Sequence, residues 1–350
     1  MQSVRSEMRL SEGKLPNDLL AAFLRELGAG DSRLLIAPGV GQDIAAVELS
    51  GEEVLLLKTD PITFATESIA YYSVAVNAND IATAGAQPRW LLATLLFPLG
   101  TTAEQVRQTM AELHAAATEF GMQICGGHTE ITDAVQRPII SAHAAGTVSR
   151  SRLIDKKNMQ EGDRLLLTKG IAIEGTSILA REFAALLRER GASEALLGKC
   201  RRFLREPGIS IVCEARIAAD TGAVTAMHDI TEGGLATALE ELSVAGRHRI
   251  RVFRNRISIL EETQKISAML GIDPLGLIGS GSLLIACTVH AADALLQSIG
   301  AAGIRAVCIG EVLEGGTGIE AVSGPGGSAI PWPHFEVDEL ARVFQEMRSG

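Results

Sequence analysis

The chain has 350 residues, a formal net charge of −10, and hydrophobic residues at 47% of its positions. This length accommodates two domains of ordinary size, and the apolar fraction is sufficient for a substantial core. The acidic balance, without any Lys/Arg run longer than two residues, argues against nucleic acid as a main partner.

The first residues of the chain contain no apolar signal segment, and the longest strongly apolar stretch, residues 90–99, is about half a membrane span. The five cysteines are widely spaced and form no CxxC pair, which is typical of reduced thiols. We therefore predict a cytoplasmic protein that does not contact a membrane.

The first half of the chain alternates apolar runs of strand length with longer segments of helical spacing. Residues 1–13 are polar and predicted to be flexible. The predicted helices cover 18–27, 68–85 and 101–121, and the predicted strands cover 44–49, 53–58, 90–97, 122–127 and 139–148. The helix 101–121 has the clearest start, because Thr102 and Gln105 have the spacing of a capping box.

A polar, turn-rich segment at 149–163 predicts a domain boundary, which gives domains at 14–155 and 156–350. In the second half, we predict helices at 174–190, 208–222, 233–245, 259–270 and 337–347. Strands are predicted at 163–170, 249–254, 281–289 and 304–312. The strand at 249–254 has a solvated basic face, for which an anion-binding patch is the alternative. Alternation of strands and helices in both halves predicts an α+β or α/β fold.

Six acidic residues stand at turn signals beside small residues and apolar runs: Asp43, Asp60, Asp80, Glu130, Asp229 and Glu232. Carboxylates at the ends of buried elements are costly unless something compensates them. Several of them at one place would repel one another, so a bound cation is the natural counter-charge. Oxygen ligands suit Mg²⁺, which usually binds together with phosphates. The pattern predicts a nucleotide-using enzyme, although each residue alone could be a turn residue or a helix cap.

Two glycine-containing motifs are candidates for phosphate contact. The segment GGHTE (126–130) combines two glycines with a hydroxyl and a carboxylate, and its ordinary alternative is a strand–turn–strand connection. Gly233 and Gly234 stand where a helix begins, a position that suits phosphate. His128 and His228 lie inside these motifs and are candidates for substrate or phosphate contact. The segment GVGQDI lacks the third glycine of a dinucleotide fingerprint, and no Walker motif occurs.

Taken in order, the motifs of this chain resemble those of the AIR synthase superfamily. The matching segments are GQDIAAV, KTDP, NANDIATAGAQPRW, GGHTEIT, AGTV, HDITEGGL, GSLLIA and IGEV. They run from about residue 39 to 312 and look most like the HypE-related branch. The resemblance implies an N-terminal α+β domain whose sheet pairs across a homodimer and a C-terminal α/β domain that closes over ATP. It also implies Mg²⁺-dependent phosphoryl transfer to an acceptor, with a maturation protein as a possible partner.

The resemblance further assigns roles to individual residues. The metal ligands that it implies are Asp43, Asp60, Asp80 and Glu130. The nucleotide-binding residues that it implies are Lys14, Asn79, Gly126, Gly127, Thr129, Gly233 and Gly234. It implies that Asp229 and Glu232 act near the reacting phosphate, and His128, inside the GGHTE motif, is the third predicted catalytic residue.

One departure concerns the acceptor. HypE proteins carry their substrate group on a C-terminal cysteine, whereas this sequence ends in EMRSG. Self-dehydration of a carbamoylated terminal thiol is therefore not expected, and the sequence does not name the acceptor. Two alternatives remain open: a small-molecule kinase similar to thiamine-monophosphate kinase, and a nucleotide-binding maturation partner that has lost turnover.

Overall fold

The computed structural model describes residues 17–26, 32–65 and 67–349. Within this part of the chain, two six-stranded sheets are connected through residues 150–163. The predicted flexible segment 1–13 and the predicted nucleotide-binding residue Lys14 lie outside the described residues.

The first half folds around a mixed sheet with the strand order β1-β2-β3-β6-β4-β5. Its elements are α1 (Asn17–Glu26), β1 (Leu34–Ile36), β2 (Ala45–Glu48), β3 (Glu53–Ile62), α2 (Ile69–Thr83), β4 (Gln87–Pro98), α3 (Ala103–Glu119), β5 (Gln123–Thr132) and β6 (Ile139–Ser149). Neighbouring strands are antiparallel except β4 and β5. The predicted capping box of α3 is present, since Thr102 N–H donates to Gln105 Oε1 at 2.8 Å and Gln105 N–H donates to Thr102 Oγ1.

The second half folds around a sheet with the strand order β12-β9-β11-β7-β10-β8, in which only β12 and β9 are parallel. Its strands are β7 (Arg164–Thr168), β8 (Val224–Asp229), β9 (Arg249–Phe253), β10 (Leu283–Cys287), β11 (Ala306–Leu313) and β12 (Gly318–Val322). Its helices are α4 (Ile173–Glu182), α5 (Ala184–Glu189), α6 (Glu194–Arg202), α7 (Val212–Asp220), α8 (Gly234–Gly246), α9 (Glu261–Leu270), α10 (Ala292–Ala301) and α11 (Glu339–Ser349).

The predicted α+β fold is confirmed, with local differences. The single helix predicted at 174–190 is two helices, because Phe183 leaves helical geometry between them (φ −112°, ψ 25°). Helices α6 and α10 and strands β1, β8 and β12 were not predicted. The predicted basic strand is β9, where Arg251 forms ion pairs with Glu311 and Glu320.

Helix α2 lies between the two halves. All fifteen of its residues are buried, whereas its sequence predicted one apolar stripe. The helix packs on β3 and β6 of the first sheet and also on α7 and β8 of the second half. A helix buried on every side needs partners for its polar residues, which include Asn79 and Asp80.

Alternation along β3 directs charged side chains toward this same region. Val54 and Leu56 are fully buried, and Lys58 and Asp60 follow them at a period of two on the inner face. Leu57 and Thr59 point to the outer face and are exposed. Among the described residues, no helix has both the length and the apolarity to cross a membrane.

Candidate active site

A cavity of about 240 Å³ lies between the two halves, at the end of β3, the last turn of α2 and the end of β8. Its lining residues are Asn17, Leu20, Gly39, Gly41, Gln42, Asp43, Lys58, Asp60, Asp80, His228, Thr231 and Glu241. The structure thus brings three predicted metal ligands together. The side chain of Asp229, predicted to be catalytic, lies beside Asp43 at the same place.

Lys58 is the central cation of the site. Its Nζ lies 3.1 Å from Asp80 Oδ2 and 3.4 Å from Asp60 Oδ2. Burial alone would lower the pKa of Lys58, but the attraction of Asp80 and Asp60 outweighs it and raises the pKa above its usual value. Lys58 therefore stays charged at any physiological pH. The sequence analysis included Lys58 in the KTDP motif but did not assign it a role.

Asp43 belongs to a buried network that also contains Lys156, His228 and Glu241, which we call the Asp43 network. Lys156 Nζ lies 2.6 Å from Asp43 Oδ2 and donates to the Gly41 carbonyl oxygen at 2.6 Å. His228 Nδ1 lies 2.9 Å from Asp43 Oδ1, and His228 Nε2 lies 3.2 Å from Glu241 Oε2. Burial would raise the pKa of Asp43, but His228 and Lys156 hold it well below its usual range.

The Asp43 network changes the role expected of Asp43. The sequence predicted that a metal ion would compensate this carboxylate, whereas Lys156 and His228 already do so. Lys156 was not identified in the sequence analysis, because its only signal was a pair of lysines in a polar boundary segment. His228, a candidate for substrate or phosphate contact, contacts Asp43 and Glu241 in this structure.

Asp229 retains an oxygen that is available for a ligand. Its side chain is buried, and Oδ2 has no hydrogen-bond partner among the described residues. Burial, followed by repulsion from Asp43, raises the pKa of Asp229 to about 6. One ligand atom each from Asp43, His228 and Asp229 lie within 4.8 Å of one another. Acidic groups outnumber the lysines of the site, four aspartates to two lysines, and burial raises the pKa of Asp80 well above its usual range in spite of Lys58. A free carboxylate oxygen in a negative site fits a hard divalent cation such as Mg²⁺.

The GGHTE motif lies away from the cavity. It forms part of β5, the edge strand, and Gly127 is in register with Ala93, Ala142 and Asp60 across the sheet. Three strand spacings separate Gly127 from Asp60, or about 14 Å. His128 and Glu130 are exposed and face each other at 3.4 Å. Within the described chain, the structure therefore does not bring Gly126, Gly127, His128, Thr129 or Glu130 to the aspartate cluster.

Asn79 has a different environment from the phosphate contact expected for it. Its amide group donates to the Ile209 carbonyl oxygen at 2.8 Å and accepts from Ile211 N–H at 2.9 Å. Both polar atoms of this fully buried side chain are therefore engaged with the backbone of the second half. Asn79 connects the two halves.

At the two glycines that start α8, the Gly233 N–H group and the space beside Gly234 are likewise taken by other parts of the protein. Gly233 N–H donates to Asp338 Oδ2 at 2.6 Å, so an internal carboxylate lies where a phosphate was expected. A Cβ atom at Gly234 would come within 2.4 Å of the Leu275 carbonyl oxygen. Both glycines have positive φ angles, 83° and 63°. Backbone conformation and close packing account for these glycines.

A second, smaller chamber of about 140 Å³ adjoins the aspartate cluster and shares Asp60 and Thr231 with it. Its walls combine apolar residues such as Phe64 with polar and acidic ones, and Glu232 lies at its edge. Glu174 is the buried acid of this chamber and accepts a hydrogen bond from Ser280 N–H at 3.2 Å. Burial raises the pKa of Glu174 to about 7. Its sequence context, IEGTS, resembles an ordinary helix start and did not identify it.

The arrangement of the two halves agrees with a known family. Residues 41–148 match the model of the AIR synthase related protein N-terminal domain, and residues 160–322 match that of the C-terminal domain. The chain belongs to the AIR synthase related family, and the resemblance inferred from its motifs is confirmed.

Named relatives lie in the HypE branch of this family. The chain is 29% identical over 260 residues to a putative hydrogenase expression/formation protein of Methanocaldococcus jannaschii, covering 73% of this chain and 74% of the relative. It is 28% identical over 289 residues to the carbamoyl dehydratase HypE of Cupriavidus necator, covering 79% and 78%. The crystal structure of the hydrogenase maturation protein HypE in complex with ATP has the same fold, with a TM-score of 0.68, 21% identity, and coverage of 95% and 98%.

Proposed function

We propose that this protein is a HypE-related enzyme that uses ATP and Mg²⁺ to transfer a phosphoryl group to an oxygen of an acceptor molecule. The observation that carries the proposal is the buried cluster of four aspartates and two lysines at the cavity between the halves. Burying so many charges does not stabilise a fold by itself, so a functional role is the better explanation. The ATP complex of HypE and the name of the carbamoyl dehydratase relative support the same activity.

The cluster suits phosphoryl transfer because this reaction depends on positioning and charge neutralisation more than on a covalent nucleophile. When bound, Mg²⁺ supplies positive charge to the phosphate oxygens. Asp229 would hold it through the oxygen that has no partner among the described residues, and Lys58 adds a fixed ammonium paired with Asp80. The Asp43 network keeps Asp43 ionised and fixes the end of β8, which carries Asp229.

The acceptor would enter the smaller chamber. This space adjoins Asp60 and Thr231, so a group inside it lies next to the phosphate site. The apolar part of its lining suits an uncharged group, and its three acids, Asp60, Glu174 and Glu232, disfavour an anion. Glu174, with a pKa of about 7, can hold or release a proton there near neutral pH. Glu232, at the edge of the chamber, is placed to contact the acceptor.

A homodimer formed through the first sheet is part of the proposal. The outer face of this sheet exposes Leu57, Trp90 and Leu92 at 43%, 40% and 45%. Strand β5 at the sheet edge is also largely exposed. Apolar groups collected on one uncovered face are typical of an interaction surface. A second copy of the chain would cover this face.

Cytoplasmic location and a maturation-protein partner remain proposals, supported by the hydrogenase expression/formation relative. The kinase-like alternative shares the same nucleotide site and differs only in the acceptor. The alternative without turnover predicts nucleotide binding but no formation of ADP.

Calorimetry with the ATP analogue AMPPCP and Mg²⁺ tests the nucleotide site. We expect binding by the wild type and a loss of at least tenfold in affinity for Asp229→Asn, because this change removes a metal ligand. Asp293→Asn is the matched control, since Asp293 is exposed on α10. Equal affinity of Asp229→Asn and the control would refute the site. Formation of ADP from ATP by the wild type would then separate an enzyme from a silent binding protein.

A further inference from the structure

The position of Lys58 has a consequence for the number of metal ions in the site. Lys58 projects inward from β3, a strand paired on both sides, and its ammonium lies between two carboxylates. Its side chain is 17% exposed, and the exposed part faces the cavity that it lines. A cation is thus built into the centre of the aspartate cluster.

Structural stability does not explain this arrangement. A buried ion pair is roughly neutral or unfavourable compared with well-packed apolar residues of similar volume, because both charges must be desolvated. Lys58 and Asp80 bear this cost on a central strand and a fully buried helix. A site that must attract a polyanion has a use for such a charge, since a lysine ammonium is a compact charge and a good phosphate ligand.

The pairing of the carboxylates limits how many metal ions can bind. Asp60 and Asp80 share Lys58, and Asp43 is paired with Lys156 and His228. Among the four aspartates, Asp229 has a buried oxygen that lacks a hydrogen bond or ion pair with the described residues. Two divalent ions would need carboxylates that already bind ammonium groups.

We propose that Lys58 is an internal cation that takes the place of one divalent metal ion. In this arrangement the site binds the phosphates of a nucleoside triphosphate with one divalent ion, at Asp229, and with the Lys58 ammonium. The inference rests on the proposed function, because it concerns the same nucleotide site.

Counting bound Mn²⁺ by electron paramagnetic resonance tests this inference. The probe is Mn²⁺ with AMPPCP, with protein in excess over nucleotide so that every nucleotide is bound. We expect one Mn²⁺ per bound nucleotide in the wild type and in Lys58→Arg, which keeps the charge. We expect two in Lys58→Met, because loss of the ammonium frees Asp60 and Asp80 for a second ion.

Lys169→Met is the matched control. Lys169 is also a buried lysine, with its Nζ 2.9 Å from Glu214 Oε1, but it lies outside the cavity. This variant should bind one Mn²⁺ per nucleotide, as the wild type does. Two Mn²⁺ ions in the wild type, or one in a folded Lys58→Met, would overturn the inference. If Lys58→Met does not fold, the number of Mn²⁺ ions bound by the wild type alone tests the inference.

A second measurement uses nucleotide affinity without metal. In the presence of a chelator, we expect AMPPCP to bind Lys58→Met at least tenfold more weakly than the wild type or Lys169→Met. Equal affinity of the three proteins would contradict a phosphate-binding role of Lys58. If the wild type does not bind AMPPCP even with Mn²⁺, the proposed function itself fails, so the two failures are distinguishable.

Discussion

Asp43 and His228 connect the two halves of the molecule through a contact of 2.9 Å between Oδ1 and Nδ1. Asp43 lies in the loop before β2, and His228 lies on β8 of the second sheet. Burial would lower the pKa of His228, but Asp43 outweighs this effect and raises it. The imidazole therefore tends toward the charged form that pairs with Asp43.

The first prediction follows from this contact. We expect His228→Leu to lower the free energy of unfolding by about 3 kcal/mol, because Asp43 and Glu241 each lose a buried partner. Denaturant unfolding followed by circular dichroism measures the change. His290→Leu is the control, since His290 is exposed. A loss no larger in His228→Leu than in the control would show that the network does not contribute to stability.

Asn79→Ala should weaken the junction between the halves. Removal of its amide leaves the Ile209 carbonyl and the Ile211 N–H buried without their partner. We expect a destabilisation of about 2 kcal/mol and faster hydrogen exchange at Ile211. Asn158→Ala, at an exposed position, serves as the comparison. Unchanged exchange at Ile211 would contradict the role of Asn79 as a connection.

Glu174→Gln should change how stability depends on pH. The pKa of Glu174 is about 7 in the folded protein, against the ordinary value of 4.5 for a glutamate in the unfolded chain, so the folded state binds more protons between pH 4.5 and 7. Wild-type stability contributed by this group is therefore present below pH 4.5 and is lost as pH rises to 7, by about 3 kcal/mol. Glutamine does not titrate and avoids this loss.

The measurement is the difference in melting temperature between Glu174→Gln and the wild type at pH 5 and pH 8. We expect the difference to shift in favour of the variant at pH 8. Glu189→Gln, which changes an exposed glutamate, should show no such shift. An equal difference at both pH values would mean that Glu174 ionises as an ordinary glutamate.

A fourth prediction concerns the proposed dimer. Leu92→Glu places a charge on the apolar outer face of the first sheet, so sedimentation should change from dimer to monomer. Leu99→Glu introduces the same charge at a residue that is 69% exposed but lies in the turn after β4. The control should remain a dimer. A monomeric wild type would refute the proposed assembly.

Parts of the site could be predicted because their sequence signals are local. Asp43, Asp60, Asp80 and Asp229 each interrupt an apolar run, and an acid in that position requires compensation wherever the fold places it. Their compensation by lysines was not predictable. Lys156 reaches Asp43 from a connecting segment more than one hundred positions away, a pairing that only tertiary structure creates.

The glycine motifs show the opposite case. Gly126, Gly127, Gly233 and Gly234 had the sequence appearance of phosphate loops, but two lie in an extended edge strand and two at a tightly packed helix start. A glycine signals close backbone approach without indicating what approaches. At Gly127 the neighbour is the Ala93 backbone, which lies 2.0 Å from the position of a Cβ atom.

The complete burial of α2 has a consequence for how the molecule unfolds. This helix is part of the interior of both halves, so neither half can separate without exposing apolar surface of the other. Separation would also break the contacts of Asn79 with Ile209 and of Asp43 with His228 at the same time. The two sheets differ in strand order, but they should unfold together in a single cooperative transition.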